Sequence, residues 1–162
     1  MTNLKIEFYL RLIFIISLVS IISAYFIEYV LGYQPCNLCL IERIPYGLSI
    51  ILITTIFIFK KSEKFIVLLL IITFIFSLSI SVYHYGIEKG FFQESSVCKV
   101  KDFTENITKE DLIKQLNERI ISCKDVTFRI FGLSLTTINI FISLILVILL
   151  TKIFVSYEKI KQ

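Results

Sequence analysis

Four apolar stretches, each near the roughly 20 residues a helix needs to cross a bilayer, decide most of what this chain can fold into. They run from about Tyr9 to Leu31, Leu40 to Phe59, Phe65 to Tyr85 and Ser134 to Phe154. With 56% hydrophobic and 19% charged residues in a chain of 162, and a mean hydropathy of +0.83, too little polar surface remains for a water-soluble globule. The expected fold is all-α: a bundle of four transmembrane helices in one membrane domain over residues 1–162. The first stretch is longer than a signal-peptide core and lacks a small-x-small cleavage site after it, so it reads as a retained span. The net charge of +4 does not indicate nucleic acid, because most cations sit beside apolar runs as topology signals.

Four spans put both termini on one side, together with a short turn over Lys60–Lys64. The other side receives outer loops over about residues 32–39 and 86–133, and these hold all four cysteines. On the terminus side Lys5, Arg11, Lys60, Lys61, Lys64, Lys152, Lys159 and Lys161 crowd short segments, whereas the long loop interleaves its cations with acids. The positive-inside rule then places the termini in the cytoplasm. Tyr29, Tyr33, Tyr46, Tyr83 and Tyr85 gather near the outer interface, where amphipathic rings settle. Within the long loop, Thr108-Lys109-Glu110-Asp111 resembles a helix start, and Leu112, Ile113, Leu116, Ile120 and Ile121 recur at helical spacing. A short amphipathic helix on the membrane surface is expected there, with packing onto the span ends as the alternative.

The chemistry lies in the cysteines. Cys36 and Cys39 stand three apart at the mouth of the second span, so in a helical turn their sulfurs share a face and can meet. Unpaired N–H groups at a helix start favour thiolate, which suits exchange better than holding a fold. A span beginning at Pro45 would have only about 15 residues before Lys60, too few for a bilayer. The helix is therefore expected to begin near Cys39, with Pro45 kinking an early turn. Arg43, one turn after Cys39, needs an anionic partner at a helix start, and a Cys39 thiolate or the oxygen of a reduced quinone would supply one. The alternative is a snorkelling arginine paired with Glu28 or Glu42.

Cys98 and Cys123 bracket a long segment. A structural disulfide is one reading. It leaves the neighbouring CxxC unexplained, and two pairs on one side favour a relay. Lys99 and Lys101 beside Cys98 favour its thiolate as a leaving group. A zinc site of four cysteines would want two closely spaced pairs, and only one is present, so no metal is expected. His84, the single histidine, ends the third span and is either a packing residue or part of a binding site.

The run Cys36-Asn37-Leu38-Cys39-Leu40-Ile41-Glu42-Arg43 resembles the C-x-L-C-x-x-(E/Q)-R signature of the disulfide bond formation protein B (DsbB) family. Tyr83-His84-x-Gly86-x-Glu88-x-Gly90-Phe91 resembles the segment leading into that family's second outer loop, and Phe131-Gly132-Leu133-Ser134-Leu135 resembles the opening of its fourth helix. The chain departs from the family in carrying Thr136 where a Pro is frequent, and in lacking Trp. The resemblance implies a thiol:quinone oxidoreductase of the bacterial inner membrane, with cytoplasmic termini and periplasmic cysteines. Its partners would be a DsbA-like, thioredoxin-like thiol oxidase and the quinone pool, ubiquinone or menaquinone. By resemblance, Cys98 forms the mixed disulfide with the partner, Cys123 attacks Cys36, and Cys39 faces quinone, with Arg43 and His84 as cofactor-binding residues. Two rivals stand beside it. A vitamin K epoxide reductase-like enzyme would carry its CxxC late in the chain rather than before the second span. A non-enzymatic membrane assembly factor would keep its disulfides as staples.

Overall fold

The structure is a computed structural model and describes residues 3–59, 63–94, 97–98, 122–126 and 128–160. The expected surface helix after Thr108, the Lys60–Ser62 part of the turn, and Lys99 and Lys101 lie outside the described residues.

Apolar runs with no interior proline become long helices, because in a hydrocarbon medium each backbone N–H must find its carbonyl within the segment. α1 spans Asn3–Tyr29, α2 the short Asn37–Ile41, α3 Ile44–Phe59, α4 Glu63–Glu88 and α5 Leu135–Ile160. Four segments are long and apolar enough to cross a membrane: Lys5–Tyr29, Asn37–Phe59, Glu63–Glu88 and Leu135–Tyr157. In their most apolar windows only 17% to 33% of residues are buried inside the protein. The rest of that apolar surface needs lipid, so the chain is a multi-pass membrane protein. Ile22, Ile51, Ile72, Phe76 and Ile145 are among the outward-facing residues.

Proline does more than kink the second span. Pro45 has no N–H to offer the carbonyl four residues earlier, and its ring crowds that carbonyl. The helix accordingly stops at Ile41, turns through Glu42 and Arg43, and restarts at Ile44. α2 is thus a separate turn carrying the CxxC above α3.

α4 packs chiefly on α5, α1 on α3, and α3 on α4. Toward the terminus end the core is mainly apolar, with Leu10, Ile53, Val67, Leu70, Phe74, Leu146, Leu150 and Ile153 fully enclosed. At mid-depth small polar residues replace it. Ser49 Oγ donates to Ser17 Oγ at 2.8 Å, and Ser77 and Ser143 hydroxyls lie 3.2 Å apart. Their small volume lets helices approach, and their hydroxyls bond across the interface.

Two features shape the cysteine end. α4 closes on Gly90, whose φ of +76° is open to glycine at no steric cost. The chain then folds back so that Phe91 N and Phe92 N donate to Gly86 O at 2.8 and 3.2 Å. The Phe92 ring covers Gly86 where a Cβ would stand and stacks on Tyr83 with centroids 5.6 Å apart. Before α5 lies a hairpin absent from the all-α expectation: β1 (Arg129–Ile130) pairs antiparallel with β2 (Leu133–Ser134). Its turn residues Phe131 and Gly132 have φ of +51° and +82°, as a two-residue hairpin matched to strand twist requires. Ser134 then caps α5, its Oγ accepting from Thr137 N at 3.3 Å.

Candidate functional site

Cys36 is the N-cap of α2, and its Sγ accepts from Cys39 N at 3.3 Å. The free thiols of Cys36 and Cys39 lie 2.7 Å apart, so the turn holds them ready to join without backbone movement. Cys36 lies outside the spans, and its thiol is lowered from 9.0 to about 5. The bond from Cys39 is the largest cause, and a bond and charge from His84 add to it against the opposing effect of burial.

The second pair is closed: Cys98 and Cys123 form a disulfide with Cα atoms 5.4 Å apart. Both are almost fully buried, at 1% and 2% exposure, in a packed cluster with Cys36, Leu38 and Ile87. Two contacts dock these loop ends. Asn37 Nδ2 donates to Val97 O at 2.7 Å. Glu94 accepts from Ser122 Oγ and, at 3.1 Å, from Lys124 N. The structure therefore brings all four expected cysteines to one end of the bundle.

Beside Cys36 lies a polar network around His84, which the sequence reading named without its partners. His84 is 2% exposed, with Nε2 3.5 Å from Cys36 Sγ and Nδ1 3.0 Å from Glu42 Oε1. Nδ1 thus faces the Glu42 carboxylate and Nε2 faces the Cys36 sulfur, an arrangement by which a carboxylate orients an imidazole. Asn139 Nδ2 donates to Glu42 Oε2 at 2.9 Å and to Ser81 Oγ at 2.7 Å. Tyr46 Oη donates to Asn139 Oδ1 and lies 3.4 Å from Ser143 Oγ. On the other side Thr136 Oγ1 sits 3.3 Å from His84 Nδ1 and donates to Glu88 Oε1 at 2.6 Å. The signal that could have found these residues is simple: ionisable and amide side chains inside apolar runs are costly in a membrane and need partners.

A cavity of about 290 Å³ opens between α1, the α2–α3 junction and α5. Val19, Ile21, Ala24, Ile27, Ile138 and Ile142 make its walls apolar, and Tyr33 and Phe128, with rings 4.9 Å apart, close its outer end. Cys39, Glu42, Arg43, Tyr46, Thr136 and Asn139 form its polar lining. An apolar chamber with a few convergent polar groups suits a small apolar ring with polar oxygens. Cys39 borders the cavity while Cys36 and His84 do not. Arg43 borders it too, but its anionic partner is Glu28 on α1 rather than Cys39. Its guanidinium also lies 5.1 Å from the Tyr25 ring centre.

The donor atoms of Cys36, Cys39 and His84 all fall within 4.8 Å of one another. Thiolates sharing a tetrahedral zinc stand about 3.8 Å apart, so sulfurs at 2.7 Å suit bond exchange better than a shared cation.

Residues 7–153 match the family described as "Disulfide bond formation protein DsbB". An uncharacterized protein of Rickettsia prowazekii (strain Madrid E) is 33% identical over 137 residues, which cover 83% of this chain and 80% of that one.

Proposed function

This chain belongs to the DsbB family of disulfide-forming membrane proteins, and from that premise we propose that it is a thiol:quinone oxidoreductase reoxidising a thioredoxin-like dithiol protein. The observation that carries this reading is the division of labour within the CxxC. Cys36 packs in one cluster with the Cys98–Cys123 disulfide, while Cys39, one turn on, borders the apolar cavity.

The chemistry follows from that placement. A partner thiolate opens the loop disulfide at Cys98, and Cys123 leaves with the electron pair. Cys123 Sγ then bonds to Cys36 Sγ, and the Cys36–Cys39 bond breaks with Cys39 as the leaving thiolate. The second partner thiol displaces Cys98. Cys98 reforms its bond to Cys123 and frees Cys36, and the CxxC closes again by giving up two electrons at Cys39. Cys39, Arg43, Tyr46 and Asn139, which line the cavity, would hold a quinone, and the quinone would supply the two-electron acceptor. His84, steered by Glu42, takes and returns protons at Cys36. The cysteine end faces the periplasm of a bacterial inner membrane, and the termini face the cytoplasm. An ubiquinone or menaquinone fits the cavity's mix of apolar wall and polar end.

The test is quinone-dependent oxidation of a thioredoxin-like dithiol protein by the purified chain, with each cysteine replaced by Ala in turn. All four single variants should lose turnover. Full turnover without Cys98 and Cys123, or without Cys36 and Cys39, would make the affected pair a structural staple.

A further inference from the structure

Cys36 and His84 are buried and Cys39 is half-buried beside the cavity, yet dithiol oxidation coupled to quinone reduction moves two protons as well as two electrons. A partner dithiol releases two protons on becoming a disulfide, and quinone takes up two on becoming quinol. Proton transfer through apolar packing is slow, so a route must exist.

Below the site, no polar chain continues among the described residues. The polar network descends from Glu42 through Asn139 and Tyr46 to Ser143 and Ser77. There it stops above the enclosed apolar layer of Ile53, Leu70, Phe74, Leu146 and Leu150. Toward the cysteine end the network continues. His84 Nδ1 is 3.3 Å from Thr136 Oγ1, which is 2.6 Å from Glu88 Oε1. Thr136 is buried and borders the cavity. Glu88 is half-buried at the last turn of α4, next to exposed Lys89 and Gly90.

We propose that Glu88 and Thr136 form the proton port of this site, connecting the aqueous phase at the cysteine end to His84 and to the cavity. This rests on the oxidoreductase reading above. A hydroxyl can accept one proton while passing on its own, so Thr136 relays between the Glu88 carboxyl and either His84 Nδ1 or a cavity oxygen. A carboxylate at the surface collects protons from water, which a hydroxyl alone does poorly. Among the described residues, the titratable groups facing His84 are Cys36 and Glu42, with Cys39 behind Cys36, and Glu88 reached through Thr136. The Arg43–Glu28 pair stands across the cavity.

The experiment reads proton access without any quinone. The reduced full-length chain, with Cys98 and Cys123 replaced by Ala, is taken through a rapid pH jump across the Cys36 titration, and thiolate ultraviolet absorbance is followed. Thr136→Val and Glu88→Gln should each slow the response roughly tenfold or more, in keeping with the loss of a positioned proton-transfer group. Thr136→Ser should restore it, which a packing defect would not allow. Unchanged rates in both variants, or failure of Thr136→Ser to rescue, overturns the port. In parallel, reduction of decylubiquinone by the otherwise unmodified chain, with a reduced thioredoxin-like dithiol protein as electron donor, is measured with and without Thr136→Val. A wild-type chain that forms no quinol overturns the oxidoreductase reading, whatever the pH jump shows. A wild-type chain that turns over, with Thr136→Val equally fast at every pH, overturns the port alone.

Discussion

His84 Nε2 lies 3.5 Å from Cys36 Sγ, although 48 residues separate the two in the chain. α4 brings the ring to the outer end of the bundle, and the break before Pro45 lets α2 tilt its capping cysteine onto it. Glu42, at the break itself, reaches the far side of the same ring. One backbone discontinuity thus assembles a sulfur, an imidazole and a carboxylate in sequence.

The reduced Cys36 should titrate near pH 5 rather than 9.0. Its folded value is depressed, so its stabilising effect on the reduced chain is full above the ordinary value and is lost as pH falls through the lowered one. Thiolate absorbance against pH, with Cys98 and Cys123 replaced by Ala, measures it. Cys39→Ala should raise the midpoint more than His84→Ala, since the Cys39 bond is the larger cause. The reverse order would make His84 the dominant support.

Arg43 joins α1 to the α2–α3 junction through Glu28 and presents its guanidinium to the cavity. Arg43→Ala should lower kcat/KM for quinone by about tenfold, the scale of one charge-assisted bond. Arg43→Lys should fall between, because it keeps the charge and loses the fork. Steady-state kinetics at varied quinone concentration decides. Wild-type values in Arg43→Ala would leave the residue a tie between helices.

In the proposed relay Cys123 is the thiol that would resolve a mixed disulfide at Cys98, and Cys123→Ala removes it. With a thioredoxin-like dithiol protein, this variant should accumulate a covalent adduct on Cys98, visible on non-reducing gels and located by peptide mass spectrometry. An adduct on Cys36 or Cys39 instead would reverse the order of the relay.

Gly86→Ala places a methyl where the Phe92 ring lies. Phe92 is half-exposed and can swing away, so the cost is the lost stacking on Tyr83 and a shifted chain reversal, about 1 kcal/mol. Thermal unfolding in detergent should show the loss, and adding Phe92→Ala should remove most of the difference between Gly and Ala at this position. Additive effects would mean the collision is not what matters.

Span positions were legible because hydropathy is summed over some 20 residues and needs no knowledge of neighbours. The four observed segments differ from expectation mainly at their ends, where caps and turns decide. Pro45 was correctly read as a disturbance near the start of the second span, but the split into two helices depends on how Glu42 and Arg43 are held by α4 and α1. Cys36 and Cys39 announced themselves through local spacing. His84 did not, since its partners Cys36, Glu42 and Thr136 come from other helices. The hairpin at Phe131-Gly132 escaped because Phe rather than Asn, Asp or Gly precedes the glycine, and a phenylalanine in the left-handed region is rare.

The enclosed apolar layer of Ile53, Leu70, Phe74, Leu146 and Leu150 has an energetic corollary. Moving one elementary charge across a membrane at 100 mV involves about 2.3 kcal/mol. In the proposed reaction the thiols, the quinone and the proton port all lie on one side of that layer, so no charge would cross it during turnover. Such a reaction would be electrically silent. It would neither draw on the membrane potential nor add to it, and its rate should be the same in an energised and a de-energised bilayer.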